Sequence, residues 1–249
     1  MLQCLKGNKE TKNEKEIYPP PYRLKAFTLS EVLITLVIIG VIAAITVPNI
    51  IQSTNKQETL SRLEKAYSAI SNGLRMSQQE NGPFSDWPIG EDMTDIDQYF
   101  NQYWRPYFAN IQKYNNAKEL GYDKTKCWKN INGEQIRWDV ASRDSRILFS
   151  FLDGTVVFYP RNTSDGEGNP IYTNYFYVDT NGSKKPNVIG KDVFIFNVVD
   201  NDNIKPFCYG ASQNYINQNC SKNVSWSNEN CCTAKVMNDG WQFKSDYPW

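Results

Sequence analysis

The apolar run at residues 32–47, entered through Lys25-Ala26-Phe27-Thr28-Leu29-Ser30-Glu31, constrains this chain more than any other stretch. As a helix, residues 27–51 extend about 37 Å, enough to cross a hydrocarbon core of about 30 Å. The run carries an acid near its start. A carboxylate at the bilayer centre costs about 2.5–3.5 kcal/mol even on lenient insertion scales, so Glu31 requires compensation.

A basic leader, a small residue, Phe-Thr-Leu-Ser-Glu and then an Ile/Val/Leu/Ala run resemble, from Lys25 to about Ile51, the type IV prepilin signal shared by pilins and type II secretion pseudopilins. The resemblance implies that a prepilin peptidase cuts between Ala26 and Phe27 and methylates the new amino terminus. The family usually has Gly before the cut, where this chain has Ala26. It also implies that Glu31 becomes the fifth residue of the mature chain, and that Pro48 stands where the family commonly has a proline. Within a bundle of such helices, a neighbour's free amine at Phe27 would neutralise Glu31 and so set the stagger, provided both charges are desolvated together. Two plainer readings compete. One is a signal anchor whose acid is protonated or reaches the headgroups; the other is a cleaved secretory signal using the small pair Ala43-Ala44. Neither accounts for the Phe-Thr-Leu-Ser-Glu string, and the second would begin its apolar region with an acid.

Of 27 basic and 27 acidic residues in 249, six and three fall in residues 1–26, so 21 and 24 remain beyond the expected cut. That mildly acidic remainder argues against nucleic acid as a partner. The basic leader instead orients the anchor by the positive-inside rule. The expected localisation is the bacterial inner membrane, crossed once, with residues 1–26 cytoplasmic and the C-terminal part extracytoplasmic, in a periplasmic or cell-surface filament. No histidine is present, which excludes imidazole-assisted nucleophiles and His-containing zinc sites.

Residues 1–26 read as a leader peptide, 27–80 as one long helix whose span is 27–51, and 81–249 as a globular domain. Pro19-Pro20-Pro21 cannot lie inside a helix, and Pro48 interrupts the long one with a kink. Beyond it Leu60, Leu63, Tyr67, Ile70 and Leu74 recur at steps of three and four, an amphipathic pattern that Asn81-Gly82-Pro83 stops. The two halves make a rod of about 75–80 Å. Its upper stripe is expected to pack on the domain. Residues 95–114 are expected to form one or two short helices, with Trp104, Tyr107, Phe108 and Ile111 at helical spacing. The aromatic density there reads as core rather than a ligand stripe.

Asp153-Gly154 between β-branched and aromatic runs predicts a hairpin with strands at 146–152 and 155–160. Further strands are expected at 174–179 and 193–199, giving an antiparallel sheet of about four. The fold class is thus α+β: a long N-terminal helix packed on a domain with a small antiparallel sheet, pilin-like in layout. Between the last two strands, Asp179, Asn181 and Asp192 carry oxygens in a Gly-containing loop. They fit either calcium, which several major pseudopilins hold in a comparable loop, or an Asx-type turn in which Asp192 receives backbone donors. The turn is preferred, so no cofactor is expected unless it is calcium. The acidic stretch 200–203 carries the same ambiguity.

Cys4 lies in the leader. Of the others, Cys208, Cys220, Cys231 and Cys232 cluster near the end and read as disulfide staples, with Cys208 joined to Cys220 or to one of the 231/232 pair; Cys127 stands apart. Gly240-Trp241 and Tyr247-Pro248-Trp249 are expected to fold back onto the domain.

The function expected is a non-enzymatic structural subunit of a type II secretion pseudopilus or a type IV pilus-like filament. A minor pilin that binds DNA or a surface is the alternative, with Lys184, Lys185 and Lys191 as candidates for its basic patch. A membrane-anchored enzyme using convergent carboxylates is the third.

Overall fold

The computed structural model describes residues 27–87, 96–122, 128–136, 146–160, 163–164, 170–171, 175–199, 203–223 and 230–249. The leader with Cys4 and Ala26, Cys127, and the acidic positions 200–202 lie outside the described residues. The chain divides into two units, Met1–Asn49 and Ile50–Trp249. The boundary falls inside α1 (Leu29–Asn81), so the second half of the long helix belongs with the domain rather than with the span.

The reason is visible in its side chains. Leu63, Ala66, Ile70 and Leu74 are buried, while Leu60 and Tyr67 are half-buried against the same core. Steps of three and four put these residues on one stripe. Gly73 lies on it too, because a Cβ there would come within 2.7 Å of the Phe108 ring. Gly82, at φ +79°, closes α1 in a left-handed conformation, and Pro83 follows.

The sheet is an antiparallel meander. Its strands are β1 (Gln112–Tyr114), β2 (Arg146–Ser150), β3 (Val156–Pro160), β6 (Tyr175–Asp179), β7 (Val193–Val199) and β8 (Asn203–Pro206), in the order β1-β2-β3-β6-β7-β8. A ribbon of β4 (Thr163–Ser164) and β5 (Pro170–Ile171) interrupts the meander after β3. The expected hairpin is present, with Ser150 opposite Val156 and Gly154 at φ +84°. Both strands are shorter than expected, since Phe151 N–H turns to the Thr155 carbonyl and closes a wider loop.

The sheet has six strands where the sequence pattern marks about four. The two outer ones, β1 and β8, are short and polar, so they carry little apolar pattern. β1 also corrects the helix expected to reach residue 114. Helix α2 (Ile96–Tyr103) is short, and Pro106, which has no N–H to donate, sits in a 3-10 turn at Arg105–Tyr107. Asn110, at φ 54°, then redirects the chain. Trp104 and Phe108 are buried, but Tyr107 and Ile111 are only partly so.

Both faces of the sheet are covered, which is why the Val-Phe-Ile-Phe segment of β7 does not alternate in polarity. Phe194 and Phe196 enter the larger core, with the α1 stripe and the α2 aromatics; Val193 and Ile195 enter a second core with Tyr122, Trp128 and Phe158. The chain end closes the larger core. Phe243 packs on Phe194, Tyr247 and Trp249 at centroid distances of 6.3, 4.6 and 4.6 Å, and the buried Tyr247 hydroxyl donates to the Gly190 carbonyl.

Candidate functional site

Thr28 immediately precedes the first helical residue. Its Oγ1 accepts the Glu31 N–H at 3.2 Å, while its own N–H and hydroxyl donate to Glu31 Oε2, each at 2.8 Å. This reciprocal capping box satisfies donors that the first turn of any helix leaves without partners. Further along, Thr35 and Thr46 hydroxyls and the Asn49 amide donate to the carbonyls of Val32, Ile42 and Ile45 at 2.9, 2.8 and 3.1 Å. These polar groups are turned inward on their own helix, and the side chains of residues 27–51 are all exposed. Leu36, Val37 and Ile39 expose 59–65% of their surface, which marks a face that lipid or protein must cover.

Pro48 lies inside α1 rather than interrupting it. It removes one donor, from the Ala44 carbonyl, and the intact ladder on either side outweighs that single loss. By length and composition, α1 contains a stretch apolar enough to cross a membrane.

The second candidate group sits between β6 and β7. Asp192 is buried and accepts the N–H groups of Asn187 at 2.8 Å and Val188 at 2.6 Å, and the Asn181 side-chain amide at 3.2 Å. Asp179, also buried, accepts the Tyr122 hydroxyl at 2.7 Å and the Asn181 N–H at 3.3 Å. Burial pushes the Asp192 carboxyl up to about 6, in spite of these donors. Asp179 is raised well above its ordinary range, first by burial and then by the charge of Asp192. Calcium wants about six to eight oxygens converging on one point. Here N–H and O–H donors face the carboxylates, their positive ends opposed to a cation, and no three His, Cys, Asp or Glu groups converge among the described residues. Asp179, Asn181 and Asp192 are brought together as a hydrogen-bonded turn, in which Asn181 Oδ1 and Asn187 Oδ1 are buried without a hydrogen-bond partner among the described residues.

Residues 23–47 match the prokaryotic N-terminal methylation motif, the type IV prepilin-like signal. Residues 49–249 match a family described as "Family of unknown function (DUF6613)". The chain belongs to the DUF6613 family. No curated protein and no solved structure gives a match to it. This DUF6613 member is therefore a type IV pilin-like protein, a long apolar helix leading into an α+β domain with an antiparallel sheet.

The DUF6613 domain staples its end with two disulfides, Cys208–Cys231 and Cys220–Cys232. The adjacent Cys231 and Cys232 thus diverge to separate partners. Cys208 and Cys220 bracket α3 (Gln213–Asn219) and tie both its ends to the start of α4 (Cys232–Asn238). Helix α4 in turn is fixed to the sheet, where the Ile195 N–H donates to Thr233 Oγ1 at 2.8 Å.

Three roles were not read from the sequence of this DUF6613 chain. The Thr28-x-x-Glu31 spacing is itself a capping-box signature and could have been found. Arg62 donates to the Asp153 and Thr180 carbonyls at 2.6 and 3.2 Å and to Glu58 at 2.6 Å, joining α1 to two sheet turns. Tyr122 serves Asp179 from 57 residues away. Those last two contacts are long-range, and no local pattern announces them.

Proposed function

We propose that this chain is the precursor of a pilus or pseudopilus subunit. A prepilin peptidase would cut it between Ala26 and Phe27 and methylate Phe27. The mature chain would wait in the inner membrane, its domain on the extracytoplasmic side, and then join other pilin-like subunits helix against helix in a type II secretion or type IV pilus-like machine. In this role it turns over no substrate.

The observation that carries the proposal is the exposed apolar segment 27–51 bearing the capped Glu31 at its start. Lipid can cover that surface, and so can neighbouring helices of the same kind. The Thr28 donors offset part of the acid's desolvation while the chain stands alone. The remainder would be met in the assembly by a neighbour's Phe27 amine, a pairing that is favourable only once both partners leave water.

Mass spectrometry of the mature amino terminus, in cells with and without the peptidase, tests the reading. The expected product begins at methylated Phe27 and disappears without the peptidase. A chain that keeps Met1, or begins near Ala44, in both strains overturns it.

A further inference from the structure

A cleft of about 420 Å³ opens between α1 and the loop joining β6 to β7. Asn55, Thr59 and Arg62 form its helical wall, with Lys184, Lys185, Lys191 and Trp249 opposite. Two acids also line it, and both are already engaged: Glu58 pairs with Arg62 at 2.6 Å, and Asp192 holds the donors of its own turn. The lysines are not. Lys184, Lys185 and Lys191 enter no ion pair among the described residues. Lys56 adds a further cation, its Nζ 5.3 Å from the Trp249 ring centroid. Burial, and then the charges of Lys222 and Lys56, push the Lys191 ammonium below its ordinary range against the pull of Asp192. Among the described residues, five cations, Lys56, Arg62, Lys184, Lys185 and Lys191, therefore surround one cavity lined by two acids, Glu58 and Asp192.

We propose that this cleft binds the phosphate of an anionic phospholipid headgroup and holds the domain to the membrane surface before assembly. The proposal rests on the anchored reading above. Asn55 follows Ile51, the last residue of the apolar span, by four positions, or about 6 Å of helix, which is inside a Debye length of about 8 Å at physiological salt. Ile50 and Ile51 are themselves 63% and 53% exposed. Lysines suit phosphate as point charges, and a tryptophan with an adjacent lysine suits the boundary between headgroups and water. The cavity has the size of a small-ligand site. Nucleic acid would instead need an extended basic face, and the chain's 27 basic residues are matched by 27 acidic ones. On assembly the lysines would have to release the headgroup, so the cleft opposes premature extraction.

The full chain, reconstituted in vesicles of phosphatidylcholine alone or with a third of phosphatidylglycerol, is treated with an amine-acylating reagent, and labelling is read lysine by lysine by mass spectrometry. Lys56, Lys184, Lys185 and Lys191 are expected to react about fivefold more slowly in the anionic vesicles, the effect of about one lysine–lipid contact each. Lys118 and Lys244, outside the cleft, serve as controls and are expected to be unchanged. In K184Q/K185Q, whose sites are both exposed, the protection of Lys56 and Lys191 is expected to fall while the chain still floats with the vesicles. Equal labelling in the two vesicles overturns the proposal. So does equal protection by inorganic phosphate in phosphatidylcholine vesicles, which would assign the cleft to a free phosphate, or stronger protection by a duplex oligonucleotide, which would assign it to nucleic acid. A chain that floats with neither vesicle overturns the anchored reading instead.

Discussion

Thr28 and Glu31 complete one another: the threonine takes the glutamate's N–H, and the carboxylate takes the threonine's N–H and hydroxyl, all within 2.8–3.2 Å. Glu31 therefore caps its own helix, and in the proposed assembly it would have a second, separable duty as a charge offered to a neighbour.

Substitutions can divide the two. Gln keeps an acceptor for the cap but carries no charge. E31Q is expected to insert in the membrane normally and to lose incorporation into a filament or secretion complex as severely as E31L, measured by cross-linking of assembled subunits. T28V removes the cap, worth about 1 kcal/mol, and is expected to reduce incorporation only partly. Wild-type incorporation of E31Q would remove charge pairing from the account.

The paired staples should govern the stability of the domain's end. Cys208–Cys231 and Cys220–Cys232 span 23 and 12 residues, and loops of that order are worth about 3 kcal/mol each. C208A/C231A and C220A/C232A are each expected to lose about that much in urea unfolding of the oxidised chain, and reduction of the wild type should lower stability further than either. The Cys220–Cys232 pair should prove the less dispensable, because Cys232 is fully buried in the larger core.

The two buried aspartates predict an unusual pH dependence. The Asp192 carboxyl moves from its usual 3.8 up to about 6 on folding, and Asp179 moves in the same direction. Between those limits the folded chain binds more protons than the unfolded one, so stability falls as pH rises through that window. Asp246, held low by Lys235, titrates below it. Unfolding midpoints are expected to decline between about pH 4 and about pH 6, and D192N to flatten the slope. A midpoint that rises across this range would contradict the burial argument.

Gly73 predicts a cost where helix propensity alone predicts a gain. Alanine would favour α1 by about 1 kcal/mol, yet its Cβ would meet Phe108 at 2.7 Å. Phe108 cannot retreat easily, since Phe149 and Trp104 lie at 5.3 and 6.0 Å from its ring. Overpacking of this kind costs about 1–3 kcal/mol, so G73A is expected to be net destabilising by up to about 2 kcal/mol in urea unfolding.

What the sequence alone determined was whatever a short window can encode. The apolar run with its acid, the one-sided stripe from Leu60 to Leu74, the stop at Asn81-Gly82-Pro83 and the Asp153-Gly154 turn each carry their physics within a few residues. Tertiary structure decided the rest. The edge strands β1 and β8 exist because β2 and β7 offer them a ladder, not because their own side chains ask for one. Pairing Cys208 with Cys231 and Cys220 with Cys232 needed the position of α3 against α4. The lysines at 184, 185 and 191 became a cleft only when the loop carrying them was laid beside Arg62 and Trp249, because charge separated by more than a hundred residues is summed in space and not along the chain.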